Sequence, residues 1–67
     1  MKISARNQLH GIVKNIDTGM ITAKVQVDVN GTNITSIISK ESVEDLGLKV
    51  GDSVEALIKS TSIMLMK

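Results

Sequence analysis

Three short segments of the sequence concentrate side chains that donate hydrogen bonds. Residues 4–8 read Ser-Ala-Arg-Asn-Gln and residues 59–61 read Lys-Ser-Thr, while Ser39 and Ser42 flank the start of a predicted helix. The segments 4–8 and 59–61 contain no carboxylate. Because Arg and Lys form charge-assisted hydrogen bonds, and hydroxyl and backbone N–H groups can satisfy the remaining lone pairs of an anion, these residue types predict a small-anion site.

The same residues also fit ordinary structural roles. Ser39 is a favourable N-cap residue for the predicted helix, and Lys59 fits a solvated charge at the end of a strand. Taken singly, none of the three segments defines a site.

Residues suited to catalysis are few. The chain has no Cys, a single His and no glycine-rich phosphate-binding motif. A Ser or Thr with His10 would form a dyad, but no carboxylate lies near His10 in the sequence to orient it. Three acids on the predicted helix, Glu41, Glu44 and Asp45, are interpreted as partners of its dipole and as a solvated face. We therefore predict no enzyme, no catalytic residue and no cofactor.

The composition also argues against a nucleic acid or a membrane as partner. Eight Lys and Arg against seven Asp and Glu give a net charge of +1, and the chain has no Phe, Tyr or Trp. It therefore lacks both a broad basic field and an aromatic platform for stacked bases. No apolar run approaches the roughly 18 residues of a membrane span, and the start at Met1 lacks the apolar core of a signal peptide. A cytoplasmic protein is expected.

The elements that must position these residues are mainly strands, because nine Ile, seven Val and five Thr are β-branched. Alternation is clearest from Ile21 to Val29, with Ile21, Ala23, Val25, Val27 and Val29 on one face. Asn30-Gly31 follows, a pair that tolerates positive φ and predicts a tight hairpin. The return strand is predicted over Thr32–Ile38.

The remaining predicted elements are a strand over Leu9–Ile16, a helix over Lys40–Leu46, and strands over Ser53–Ser60 and Ser62–Met66. Ser39 is the expected N-cap of the helix, Gly47 its left-handed C-terminal residue, and Val43 and Leu46 its apolar face. The predicted fold class is all-β: a five-stranded OB-like small barrel with one short helix between strands 3 and 4.

Several predicted strands carry apolar residues on both faces. Ile37, Leu57 and Met64 lie opposite the apolar set of their own strands. A domain of 67 residues with no disulfide has a marginal core. We therefore expect other copies of the chain to cover the second apolar faces.

Three stretches of the sequence form one pattern that extends over essentially the whole chain. They are Ile3-Ser4-Ala5-Arg6-Asn7-Gln8-Leu9 with Gly11, then Ile38-Ser39-x-x-Ser42-Val43 with Leu46-Gly47-Leu48, and finally Ile58-Lys59-Ser60-Thr61. This pattern resembles the signature of the Mop domain found in molbindins. The resemblance implies one Mop domain over residues 1–67 that binds molybdate, and often tungstate. The metal would then be bound only as an oxyanion, and no side chain would coordinate a free metal ion.

The resemblance also implies a cytoplasmic homohexamer, a trimer of dimers with oxyanion sites between subunits. Related modules in regulators and transporter ATPase subunits carry extra domains, and none is expected here. The expected role is therefore that of a stand-alone protein that stores or buffers molybdate.

By the same resemblance, Ser4, Arg6, Lys59 and Ser60 are the main oxyanion ligands. Ser39 and Ser42 are hydroxyl donors near a helix start, and Asn7 is a further candidate. Because the first pair precedes the first strand and the second pair ends the fourth, we expect a neighbouring subunit to complete the set.

Two other functions stay open from the sequence. In one, the barrel is a structural or regulatory module that docks a partner protein. In the other, less favoured for lack of aromatic and basic residues, it is an OB domain that binds nucleic acid.

Overall fold

The computed structural model describes residues 7–67, which form one antiparallel sheet and a short helix. The strands are β1 (Asn7–Thr18), β2 (Thr22–Val29), β3 (Thr32–Ser39) and β4 (Ser53–Ile58), and the helix is α1 (Lys40–Leu46). The four strands lie in the order β3-β2-β1-β4. Every predicted element up to β4 is confirmed, with boundaries that differ by at most two residues.

The β2–β3 hairpin forms as its alternation predicts. Ala23, Val25 and Val27 are buried, and Asn30 (φ 50°) and Gly31 (φ 89°) both adopt the left-handed conformation of a tight hairpin turn. Ile21 differs from the prediction: it precedes β2 and is largely exposed. Its carbonyl accepts a hydrogen bond from the backbone N–H of Lys40 at 2.8 Å. This bond ties the β1–β2 loop to the start of α1.

Strand β1 is long because it pairs with a different strand along each half. Residues 7–12 pair with β4 and residues 12–18 pair with β2, with a register shift between Val13 and Asn15. Val13, at the bend, is fully buried. The core of the described residues is small and consists of Val13, Ala23, Val25, Val27 and Val43.

Gly11 lies where β1 and β2 approach closely. A β-carbon on Gly11 would stand 2.6 Å from the backbone oxygen of Asp28 and 2.6 Å from Cγ1 of Val27. Carbon atoms cannot approach this closely, so a larger residue must push the two strands apart.

We predict that Gly11→Ala lowers the free energy of unfolding by about 1–3 kcal/mol, the usual cost of overpacking. At roughly 4–8 °C per kcal/mol for a domain of this size, the thermal midpoint falls clearly. The matched control is Lys14→Ala, at an exposed position of the same strand, which should leave the midpoint nearly unchanged. Equal midpoints for the two variants at equal concentration would show that the strands yield without cost.

Helix α1 begins and ends where the sequence predicts. Ser39 caps it, since its Oγ accepts a hydrogen bond from the N–H of Ser42 at 3.0 Å. The helix ends at Gly47, whose backbone adopts the left-handed conformation (φ 61°). Val43 is buried against the sheet, but Leu46, expected on the same face, is mostly exposed.

The predicted fifth strand is the main correction. Strand β4 ends at Ile58 rather than Ser60, and residues 60–62 form a 3-10 turn in which the N–H of Ser62 donates to the carbonyl of Lys59. Residues 63–67 form no strand, and Met64, Leu65 and Met66 are more than nine-tenths exposed. A strand needs a neighbour for its backbone groups, and in the described part of the chain residues 63–67 have none. The four-stranded sheet therefore does not close into a five-stranded barrel.

An apolar cleft of about 510 Å³ opens between the two edge strands β3 and β4. Its lining includes the inward side chains of both strands: Ile34, Ile38, Val54, Ala56 and Ile58. No helix within residues 7–67 is both long enough and apolar enough to cross a membrane.

Candidate functional site

The pairing of β1 with β4 brings Asn7 and Gln8, the described part of the first donor segment, to the end of the sheet where Lys59 follows β4. Asn7 is the register partner of Ile58, and its Nδ2 donates to the Ile58 carbonyl at 3.3 Å. In the chain, Arg6 is bonded to Asn7 and Lys59 is bonded to Ile58. Asn7, within the first segment, is therefore in direct contact with Ile58, which immediately precedes the second segment, although the two residues are 51 positions apart.

Lys59 and Ser60 are exposed at this end of the sheet. Lys59 is extended (φ −66°, ψ 138°), and the 3-10 turn begins at the next residue, Ser60. The residues expected to bind an anion therefore lie where β4 has ended and the turn begins. Among residues 7–67, the one contact between a basic and an acidic side chain is His10–Glu55, so no described carboxylate pairs with the Lys59 ammonium. Ser4 and Arg6 lie outside the described residues.

Ser39 and Ser42 lie at the opposite end of the sheet. Thr18, the last residue of β1, pairs with Ala23, and Ala23 pairs with Ile38, next to Ser39. Asn7 is at the other end of β1, 11 positions away from Thr18, and an extended strand rises about 3.3 Å per residue. Within one chain, the structure therefore does not bring all the predicted ligands together.

The hydroxyls of Ser39 and Ser42 are bonded to each other. Besides capping the helix, Ser39 Oγ donates to Ser42 Oγ at 2.8 Å. A cavity beside Ser39 is also lined by Lys40, Glu41 and Glu44. Its two carboxylates repel an anion, so this end of the sheet is less favourable for an oxyanion than the end with Lys59.

Three side chains on the outer face of β1 and β4 form a hydrogen-bonded chain that the local sequence pattern does not predict. His10 Nδ1 lies 2.9 Å from Glu55 Oε1, and His10 Nε2 lies 3.0 Å from Ser53 Oγ. Glu55 is the register partner of His10, 45 positions away, so only the strand pairing reveals the contact.

An imidazole between a carboxylate and a hydroxyl has the order of groups found in serine hydrolases. Here, however, the His10 and Glu55 side chains are more than half exposed. His10 and Ser53 line neither the apolar cleft nor the cavity beside Ser39. We interpret the three side chains as a surface link between β1 and β4, of the kind that contributes little stability.

The described residues show no arrangement for a directly bound metal ion. No three His, Cys, Asp or Glu side chains of residues 7–67 are grouped closely enough to hold one. The chemistry present at the Asn7–Lys59 end is that of amide, hydroxyl and ammonium donors.

The fold and this donor-rich end define a small all-β domain suited to binding a ligand at its strand ends. The chain belongs to the TOBE domain family, whose model matches residues 3–65.

Its relatives include binding proteins of the same length. Molybdenum-pterin-binding protein 1 of Clostridium pasteurianum is 54% identical over 67 residues, covering 98% of each chain. The structure of a molybdate-binding protein from Sporomusa ovata superposes with a TM-score of 0.96 at 45% identity and covers both chains completely.

A third relative is longer. The cytoplasmic molybdate-binding protein ModG, with molybdate bound, matches with a TM-score of 0.84 at 49% identity, over 90% of this chain and 43% of its own. The resemblance to molybdate-binding proteins of the molbindin type is thereby confirmed.

Proposed function

We propose that this protein binds molybdate, and tungstate in the same way, as a non-catalytic cytoplasmic protein that stores and buffers the oxyanion. The observation that carries the proposal is the Asn7–Ile58 contact, since it joins a member of the first donor segment to the residue that precedes the second. Neither segment contains a carboxylate. Relatives of the same length are molybdenum- or molybdate-binding proteins, and ModG is described as cytoplasmic, which supports the proposal.

The proposed ligands divide into two groups. Ser4, Arg6, Lys59 and Ser60 form the main set, while Ser39 and Ser42 contribute hydroxyls from the other end of the sheet. Because the sheet separates Lys59 and Ser60 from Ser39 and Ser42 within one chain, a single ion that contacts both pairs must lie between two subunits. Asn7 adjoins the first group through its contact with Ile58.

The donor set suits molybdate for a chemical reason. At neutral pH molybdate is a fully deprotonated dianion, so it requires hydrogen-bond donors only. Hydrogen phosphate retains a proton and needs an acceptor, which Ser, Arg and Lys without a carboxylate do not readily provide. The chain also has no aromatic residue to stack on a pterin ring, which favours the inorganic oxyanion over a pterin.

We further propose a homo-oligomer, a hexamer built as a trimer of dimers. Ile37 is two-thirds exposed, Leu57 is half exposed, and the apolar side chains of residues 64–66 are almost entirely exposed. The open apolar cleft between β3 and β4 adds to this unpartnered surface. Together with the small core, these surfaces support association of several copies, because burying them stabilises each chain.

Isothermal titration with molybdate, tungstate, sulfate and phosphate tests the function. We expect tight binding of molybdate and tungstate and much weaker binding of phosphate. Sulfate, like molybdate, only accepts hydrogen bonds, so the size of the site alone distinguishes these two anions. Absence of heat with all four anions would refute the proposal and favour a protein-interaction module. Retention on single-stranded DNA would instead favour a nucleic-acid-binding domain.

A further inference from the structure

Asn7 holds the end of β4 with its side chain. Its Nδ2 donates to the Ile58 carbonyl at 3.3 Å in a part-buried contact. A carbonyl oxygen can only accept, so the nitrogen of the amide must face Ile58. The backbones of the two residues are also register partners, so the side-chain bond reinforces the last pair of the β1–β4 ladder.

The Ile58 carbonyl is part of the peptide group that leads into the anion-binding segment. Its C=O and the N–H of Lys59 belong to one planar unit, so fixing the oxygen also fixes the direction of that N–H. Lys59 is still extended, and the chain turns at Ser60–Ser62 directly after it. The orientation of the 58–59 peptide therefore sets where the Lys59 and Ser60 side chains leave the sheet.

We propose that Asn7 is a positioning residue of the oxyanion site and not an oxyanion ligand. Its amide holds the 58–59 peptide so that Lys59 and Ser60 are presented together at this end of the sheet. With one N–H directed at Ile58, the Asn7 amide has only one N–H left to donate, and its oxygen repels a deprotonated dianion. This inference rests on the proposed function.

A double-mutant cycle separates the two roles. Sodium molybdate is titrated into the wild type, Asn7→Leu, Lys59→Met and the double variant. Leu keeps the size of the side chain and removes its donor, and losing one such bond should weaken binding about 3- to 10-fold. If Asn7 acts through Lys59, Asn7→Leu should cost less than about 2-fold in the Lys59→Met background, because coupled residues are not additive.

Hydrogen exchange without any anion gives a second measure. The amides of Ser62 and Ile63 donate to the carbonyls of Lys59 and Ser60, so they report order directly after β4. They should exchange faster in Asn7→Leu, while Val25 and Val27 in the core keep their protection. Asn15→Ala, which removes an exposed amide from the same strand, should change neither exchange nor affinity.

Additive losses with unchanged exchange would make Asn7 a direct ligand and overturn the inference, as would unchanged affinity in Asn7→Leu. If Asn7→Leu does not fold, Asn7→Ala replaces it in both measurements. A wild type that binds no molybdate would refute the proposed function instead. Exchange at Ser62 and Ile63 would then still decide whether Asn7 holds the end of β4.

Discussion

Replacing Arg6 with Ala is expected to weaken molybdate binding roughly 10- to 150-fold without unfolding the protein. Arg6 is the only arginine of the chain, and it adjoins the residue that pairs with Ile58. A hydrogen bond to a charged group contributes about 1.5–3 kcal/mol, which corresponds to this loss of affinity. Isothermal titration measures the change, and the thermal midpoint of the anion-free protein reports whether the fold is kept.

Two controls make the Arg6 result specific. Lys14→Ala removes one positive charge from an exposed position of β1 and should leave the affinity close to that of the wild type. Arg6→Lys keeps the charge but loses the planar fork of donors, so an intermediate affinity is expected. Unchanged affinity in Arg6→Ala would remove this residue from the site, and a strongly lowered midpoint would assign it a structural role.

The double variant Leu57→Asp/Met64→Asp is expected to dissociate into smaller species that bind molybdate poorly. Both side chains are exposed apolar groups in the isolated chain, and burying a charge at a subunit contact without a partner is unfavourable. If the site needs donors from two chains, binding falls even though Arg6 and Lys59 are intact. Sedimentation velocity at micromolar concentration, combined with titration of molybdate, measures both effects.

The matched control adds the same charge at polar positions. Asn15→Asp/Asn33→Asp changes two exposed side chains by two negative charges in total and should leave the assembly intact. Molybdate should also raise the thermal midpoint of the wild type and oppose its dissociation on dilution, because a ligand of the assembled form stabilises it. A wild type that sediments as a monomer with full molybdate affinity would contradict the prediction.

Features encoded within a few residues were predicted correctly from the sequence. The Asn30-Gly31 turn, the Ser39 cap and the limits of α1 are all observed as expected. Each depends on local backbone preferences or on a hydrogen bond between residues three positions apart. The family resemblance also rests on short motifs, and the similarity to known molybdate-binding proteins confirms it.

The predicted fifth strand failed for a physical reason. Residues 63–66 are all apolar, but a strand is stable only when another strand satisfies its backbone groups. In the described residues the cleft between β3 and β4 is open and residues 64–66 are exposed. Alternation of side chains specifies which face is apolar, but it does not specify which strand becomes the neighbour.

The amino-acid sequence thus determined the hairpin, the capped helix and the types of donor available for an anion. Only the tertiary structure decided that Asn7 meets Ile58, that His10 meets Glu55, and that Ser39 lies at the far end of the sheet. The first two are contacts between residues more than 40 positions apart, and all three features follow from strand order and register. A shift of one residue in register would turn every side chain of a strand to the opposite face, so such contacts depend on the packing of the whole sheet rather than on local preference.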